Sequence, residues 1–252
     1  MHWLLFELAA PLASFGGVAP GTVRDTELLP TRSAVLGLMA AACGIERADV
    51  AGQQALSDGL LLAARVNADA PLLRDYHTAQ APEQAALKEY PRYTRRDELC
   101  VRKDKLSTVL SDRYYYANYA ATIGIACANG ERLVALEQAL RKPRFTLYLG
   151  RKSCPLAWPL DPHLLEAESW SQALAAHDAY MDERLASFKR LGVDRWLRSP
   201  GGRYAYRGDD DIEPGELVGV RHEVIRRDQP LNTARRLFGE RRHWRFAQEA
   251  QP

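Results

Sequence analysis

The chain has 252 residues, of which 46% are hydrophobic and 26% charged, and its formal net charge is +2. This ordinary globular composition excludes a disordered, collagen-like or coiled-coil chain. No uncharged apolar run approaches the roughly 20 residues of a membrane span, and the first residues are typical of a strand rather than a signal peptide. The four cysteines are far apart, which argues against a zinc ribbon or disulfide framework, so we expect a cytoplasmic protein with reduced thiols.

The first half of the chain alternates predicted strands and helices. Thr31 is a typical helix N-cap, and Gly44 is typical of a helix end. The predicted elements are strand Trp3–Ala9, a loop to Pro30, helix Arg32–Cys43, strand Leu60–Val66, a long polar stretch Asn67–Asp112, strand Arg113–Ala128, helix Glu131–Lys142 and strand Arg144–Leu149. Their β-α-β-β-α-β order predicts an α+β fold with a ferredoxin-like, RRM-like N-terminal domain.

The second half of the chain is less regular. It predicts a helix over Ser169–Leu191 and short strands at Arg203–Arg207 and Leu217–Ile225. We therefore expect an N-terminal domain over residues 1–159 and a small β-rich C-terminal subdomain over residues 160–252. The stretch Arg184–Arg245 carries an excess of six positive charges, which indicates either a polyanionic partner or an ordinary solvated surface.

An anion site at a helix start is the first candidate site. Arg32 lies in the first turn of its predicted helix, where its charge opposes the helix dipole. A phosphate there would accept hydrogen bonds from free backbone N–H groups and from the Arg32 and Ser33 side chains. The alternative is that Arg32 points into water or pairs with Asp25 or Glu27.

A second candidate site lies in the predicted strand Arg144–Leu149 and the turn after it. Alternation places a cation, a hydroxyl and a ring on the outer face of that strand, and two more cations follow Gly150. Such a mixture is typical of single-stranded nucleic acid binding, because phosphates take the charge and bases stack on rings. The alternative is an exposed strand with solvated charges. The candidate RNA-binding residues here are Arg144, Tyr148, Arg151, Lys152 and Ser153.

The long polar stretch Asn67–Asp112 is the third candidate, because a loop of this length is usually functional or a protruding hairpin. It is rich in cations and flanked by tyrosines. Arg102, Lys103 and Lys105 are its candidate RNA contacts. The tyrosines could equally be cross-strand packing partners.

Two residues at Arg74–Thr78 offer an alternative, catalytic interpretation. Tyr76 and His77, with a lysine such as Lys103 or Lys105, could run metal-free RNA cleavage in which the histidine takes the 2′-OH proton. A lone histidine near a strand end is more often structural. No metal-binding spacing is present, and the run Asp209–Asp211 is interpreted as a solvated acidic turn.

Several of these segments occur in an order that is similar to one known family. The segments are Ala9–Pro11, Pro30–Leu38 with Gly44-Ile45, Leu73–Thr78, Lys142–Leu156, Arg227–Pro230 and Arg235–Arg241. On them the chain resembles the CasD family of the RAMP superfamily, found in subtype I-E CRISPR-associated Cascade complexes. Two stretches match that family poorly, Ala79–Asp112 and Asp161–Gly215.

The resemblance implies a fold and a function. The fold would be an RNA-recognition-like domain with a thumb-like hairpin at Ala79–Asp112 and a small C-terminal subdomain. The protein would be a noncatalytic subunit without a cofactor that holds the 5′ handle of the CRISPR RNA. It would contact the Cascade backbone subunit and the large subunit, and target DNA only indirectly, with no membrane partner. In the related subtype I-C the equivalent subunit is a metal-independent endoribonuclease, which gives the alternative function.

Overall fold

The computed structural model describes residues 1–17, 19, 21–67, 70–83, 93–188, 192, 196–197, 205–217 and 219–247. Within them lie strands β1 (His2–Ala13), β2 (Val23–Arg24), β3 (Leu61–Val66), β4 (Leu72–Pro82), β5 (Leu106–Cys127), β6 (His163–Glu166), β7 (Ala205–Asp209), β8 (Val220–Asn232) and β9 (Leu237–Ala247). The helices are α1 (Arg32–Cys43), α2 (Val50–Ser57), α3 (Arg95–Leu99), α4 (Gly130–Arg141) and α5 (Trp170–Ala186), with a short 3-10 helix at Lys103–Lys105. None of these helices is long and apolar enough to cross a membrane.

The strands form one large, mainly antiparallel sheet. Its order is β6-β1-β5-β3-β7-β9-β8, and β2 and β4 pair with β5 outside that path. The C-terminal half of β5 pairs with both β1 and β3, and β6 pairs with the other edge of β1. Because β7 pairs with β3, the C-terminal strands continue the same sheet across the expected boundary at residues 159 and 160.

The core lies on both faces of the sheet, as β1 shows. Alternate side chains of β1 enter different clusters because strand side chains alternate between faces. Leu4, Phe6 and Leu8 pack with residues of α1 and α4, whereas Trp3 and Leu5 pack with residues of α5 on the opposite face. The predicted strand Trp3–Ala9 is thus buried on both faces, and the sheet is a layer between two sets of helices.

Local capping explains why α1 was predicted correctly at both ends. The Thr31 side chain accepts a hydrogen bond from the backbone N–H of Ala34, and Gly44 ends the helix with a left-handed φ of 75°. Helix α4 begins at Gly130, one residue before its predicted start, with Asn129 as N-cap. Helix α5 ends at Ala186, and the last three residues of its predicted extent, 189–191, lie outside the described residues.

The predicted strand Arg144–Leu149 is wrong as a sheet strand. The backbone N–H groups of Arg144 and Phe145 donate to the carbonyls of Ala42 and Ala41, in the last turn of α1. These amides therefore satisfy helix carbonyls that have no partner within the helix. The strand that follows α4 in the sheet is β6, which the sequence analysis missed.

The polar stretch Asn67–Asp112 contains β4 and the start of β5. These strands form an antiparallel hairpin whose pairing runs from Leu72↔Tyr116 to Pro82↔Leu106. The expected arm is thus a two-stranded structure that begins earlier in the chain than Ala79. Residues 84–92 of the arm lie outside the described residues.

The C-terminal strands are longer and more numerous than predicted. The short strand expected at Leu217–Ile225 is β8, which extends to Asn232, and β9 was not predicted. The strand expected at Arg203–Arg207 is β7, which runs to Asp209, while residues 203–204 lie outside the described part of the chain. The division into two domains stays a prediction.

Candidate nucleic-acid interface

The N-terminus of α1 at Arg32 binds a carboxylate of the protein itself, that of Asp228. The Arg32 side chain is only 5% exposed. Its Nη1 donates to Asp209 Oδ2 at 2.7 Å, and its Nη2 donates to the carbonyls of Ser57 and Leu60. The backbone N–H of Arg32 donates to Asp228 Oδ2 at 2.9 Å. The expectation that Arg32 binds a phosphate is therefore corrected, because internal carboxylates and carbonyls occupy Nη1, Nη2 and the backbone N–H; the buried side chain does not point into water, and its described partners are neither Asp25 nor Glu27.

Two further arginines complete this buried cluster. Arg207 donates to Asp228 at 2.9 Å, and Arg241 contacts both Asp228 and Asp209. Burial lowers the pKa of Arg207 to about 10, with partial compensation from Asp228. Burial alone would raise the pKa of Asp228, but the guanidinium groups of Arg207 and Arg241 outweigh it and hold that pKa well below its usual value. Asp209 is therefore part of the core rather than of a solvated acidic turn.

The turn that follows Leu149, called here the cationic turn (Gly150–Ser153), is fixed by its backbone. Gly150 has a φ of 82°, and a Cβ there would lie 1.8 Å from the carbonyl oxygen of Ser14. Only glycine fits this position without moving the backbone at Ser14, the residue that follows β1. The N–H of Leu149 donates to the carbonyl of Cys154 at 2.8 Å, which closes the turn. Lys152 and Ser153 are exposed on it.

Arg151 is held against neutral groups of the first half of the chain. Its guanidinium lies 4.5 Å from the centre of the Tyr115 ring, a cation–π contact. Its Nη2 donates to the carbonyl of Arg24 at 3.2 Å. Among the described residues no carboxylate forms an ion pair with Arg151, and Lys152 beside it is exposed.

A groove of about 830 Å³ adjoins the cationic turn. It lies between α1, the segment Phe145–Gly150 and the hairpin of β8 and β9. Ser33 and Tyr148, which the sequence analysis singled out, both line it. The Ser33 hydroxyl lies 3.2 Å from the Thr31 hydroxyl, and Tyr148 is 38% exposed. The structure therefore brings Ser33, Tyr148 and the cationic turn to one surface.

Arg144 is exposed beside this groove rather than on a sheet face. The stem of its side chain packs over Gly44, where a Cβ would lie 2.2 Å from Arg144 Cδ. Phe145 is also exposed, whereas Leu147 and Leu149 are buried. The predicted alternation of exposed and buried side chains thus holds only from Thr146 to Leu149.

The three candidate RNA contacts of the arm lie at its far end. Arg102 pairs with Asp104 at 3.0 Å, and both side chains are mostly exposed. Lys103 and Lys105 are exposed on the 3-10 helix that precedes β5. The structure does not bring these residues to the cationic turn, since β4 and half of β5 separate them.

The residues of the catalytic alternative do not converge. Tyr76 and His77 are neighbours in β4, so their side chains leave opposite faces of the hairpin. His77 contacts Asp75 on its own face. The lysines Lys103 and Lys105 lie beyond Pro82, about 16 Å along the strand from His77 at 3.3 Å per residue.

One wall of the groove was missed by the sequence analysis. Pro230, Thr233 and Phe238, from the hairpin of β8 and β9, line it opposite Tyr148. The signal in the sequence was the excess of cations between Arg184 and Arg245, but nothing local showed that this hairpin returns to α1.

Comparisons with known proteins agree on one family. The family model for CRISPR-associated protein (Cas_Cas5) matches residues 3–243. The CRISPR system Cascade subunit CasD of Escherichia coli (strain K12) is 31% identical over 188 residues, which cover 70% of this chain and 77% of that protein.

Two solved structures share the fold. One, titled CRISPR RNA-guided surveillance complex, has a TM-score of 0.61 at 20% identity and covers 98% of this chain and 90% of its own. Another, titled Crystal structure of Cas protein, has a TM-score of 0.56 at 24% identity and covers 99% and 100%. At these identities the structural likeness establishes the fold, and the family model and the E. coli relative establish the family. The chain belongs to the Cas5 (CasD) family of CRISPR-associated proteins.

Proposed function

We propose that this chain is a noncatalytic subunit of a subtype I-E Cascade complex and that it holds the 5′ handle of the CRISPR RNA at the cationic turn. The observation that carries the proposal is the position of that turn. Arg151 and Lys152 directly follow Gly150, which lines the groove together with Tyr148 and Ser33. Phosphates would meet the two cations and Ser153, and a base would meet Tyr148.

The topology supports an RNA-binding role of this kind. The strands β1, β3, β5 and β6 lie in the order β6-β1-β5-β3, with α1 and α4 as the connecting helices. This order supports the proposal of a ferredoxin-like domain, the arrangement that RNA-recognition modules use. The hairpin of β4 and β5 would be its thumb, with Arg102, Lys103 and Lys105 as further RNA contacts.

The names of two similar proteins support a role for this chain within a Cascade complex. The E. coli relative is named a Cascade subunit, and one structural relative is titled a CRISPR RNA-guided surveillance complex. We infer that this chain contacts the backbone subunit and the large subunit of a cytoplasmic complex and reaches target DNA only through them. Arg144, exposed at the C-terminal end of α1, would contact either the RNA or a neighbouring subunit.

Co-expression with the other subunits and a CRISPR array tests the proposal. The expected result is that processed CRISPR RNA co-purifies with the wild-type assembly. Purified Lys152→Glu protein should bind an RNA of about eight nucleotides, taken from the repeat, at least tenfold more weakly, with a smaller salt dependence. Arg221→Glu is the matched control, since Arg221 is exposed at the far end of β8. Equal affinity of wild type and Lys152→Glu would refute this site.

The nuclease alternative is tested with the same RNA. Incubation with a high protein concentration in EDTA should leave the repeat RNA intact. Cleavage that is abolished by His77→Ala would instead support a metal-independent endoribonuclease. The separation of His77 from Tyr76 and from the lysines is the reason for expecting intact RNA.

A further inference from the structure

We propose that the hairpin of β8 and β9 forms a second RNA-contacting wall, so that the strand runs from the cationic turn through the groove to the hairpin tip at Arg235 and Arg236, with one base unstacked inside. This inference rests on the proposed function and extends it to residues outside the predicted site. It assigns a binding role to the C-terminal hairpin, and Gly37 of α1 leaves space for the base.

The groove has the size and walls that one nucleotide needs. Cavities of roughly 300–1,000 Å³ hold ligands of the size of a mononucleotide, and this groove measures about 830 Å³. Phe145 and Tyr148 are 43% and 38% exposed along one wall, and Phe238 lies on the hairpin wall. Rings on both walls suit a base, because any base can stack on an aromatic face.

Cations lie on both turns that border the groove, of which Gly150 and Thr233 are lining residues. Lys152 is exposed at the cationic turn, and Arg235 and Arg236 are exposed on the turn that begins at Thr233, which itself lines the groove. Arg47 lies at the same end, beside one lining carboxylate, Glu46. A single strand with a phosphate on each side of the unstacked base would meet positive charge at both mouths.

The hairpin tip is held in place against α1. Arg47 Nε donates to the carbonyl of Thr233 at 3.1 Å, and the Thr233 hydroxyl donates to the carbonyl of Arg47 at 3.0 Å. Asp228 anchors the same strand to the backbone of Arg32. The second wall is therefore built before any RNA arrives, which reduces the entropy lost on binding.

Gly37 keeps the groove open. It lies in the middle of α1, where glycine destabilises a helix relative to alanine, and it is exposed to the groove. A Cβ at Gly37 would meet nothing within 4 Å. A larger side chain there would fill the groove without disturbing the core. A loss of RNA binding in such a variant would therefore not arise from a loss of stability.

The test measures RNA affinity of the full-length chain with repeat-derived RNAs of about three and about eight nucleotides. Gly37→Leu should weaken binding of the longer RNA at least tenfold, whereas Gly37→Ala should change it less than about threefold. The double variant Arg235→Glu/Arg236→Glu should weaken the longer RNA at least tenfold. It should leave the short RNA unaffected, because a short RNA at the cationic turn does not reach the tip.

The outcomes separate this inference from the proposed function. If Lys152→Glu weakens binding but the Gly37 and tip variants do not, RNA uses the cationic turn alone and the second wall is refuted. If the tip variants disrupt only assembly with partner subunits, the hairpin is a protein interface and the inference is wrong. If the wild-type chain binds neither RNA, both proposals fail together.

Discussion

Two groups of arginines and lysines in this molecule have opposite surroundings. The buried cluster places Arg32, Arg207 and Arg241 around two carboxylates, and Arg207 is only 1% exposed. In the cationic turn, by contrast, the described contacts of Arg151 are the Tyr115 ring and a carbonyl, and Lys152 is exposed. In one group the charge is neutralised within the fold, and in the other the described residues place no carboxylate in an ion pair with it.

The difference follows from the cost of burying charge. An arginine removed from water must be paired and hydrogen-bonded, or it destabilises the fold by several kcal/mol. Asp209 and Asp228 provide that pairing and join α1 to β7, β8 and β9. An exposed cation contributes little to stability, so the fold does not require it to be paired. A cation's role here is therefore set by its carboxylate neighbours rather than by its place at a helix start or turn.

Removal of one carboxylate should give the largest effect. Asp228→Ala leaves Arg207 buried with its carboxylate partner gone, and it also removes the acceptor for the N–H of Arg32. We expect the free energy of unfolding to fall by about 3–5 kcal/mol, measured by chemical denaturation. Asp210→Ala is the control, because Asp210 is exposed and should change stability by less than about 0.5 kcal/mol. Equal effects of the two variants would contradict the buried cluster.

The stability of the protein should depend on the glycine at position 150 of the cationic turn. Gly150→Ala places a Cβ against the Ser14 carbonyl, at a φ of 82° that alanine adopts poorly. We expect a loss of about 2–4 kcal/mol in unfolding free energy from strain and steric overlap. Gly37→Ala is the matched control, since its Cβ meets nothing and should stabilise α1 by about 0.5–1 kcal/mol. If Gly150→Ala left the free energy of unfolding unchanged, the turn would not be packed against the backbone of Ser14.

The buried cluster should also make stability depend on pH. His243 lies beside it, facing Arg207, Arg241, Arg226 and Asp228, and burial followed by the neighbouring guanidinium groups lowers its pKa from 6.5 to about 3. Below pH 6.5 the unfolded chain therefore binds a proton that the folded chain does not. Stability should fall by about 2 kcal/mol between pH 8 and pH 5 on account of this group.

The variant His243→Gln isolates that contribution. It should remove about 2 kcal/mol of the pH dependence measured by denaturation at pH 8 and pH 5. His222→Gln changes an exposed histidine on β8 and should leave the dependence as in the wild type. If both variants keep the wild-type pH dependence, His243 is charged in the folded state and the cluster is less positive than its contacts indicate.

The sequence could predict what is decided locally. Helix α1 was predicted to the residue because Thr31 and Gly44 cap it from adjacent positions. The role of Arg32 could not be predicted, because Asp209 and Asp228 lie 177 and 196 residues further along the chain. The segment Arg144–Leu149 has a strand-like alternation, yet its first amides bind the end of α1. Tyr148 and the cationic turn were located from local chemistry, whereas the opposite wall of the groove depended on long-range pairing.

Lys152→Glu should have the smallest effect on stability, in contrast to any change in the buried cluster. The side chain is exposed and has no described carboxylate partner, so the free energy of unfolding should change by less than about 0.5 kcal/mol. Arg32→Ala, which leaves Asp209 with one cation fewer, should cost about 3–5 kcal/mol in the same measurement. A large loss of stability in Lys152→Glu would mean that the turn's charge already serves the fold, and it would then be unavailable to an external anion.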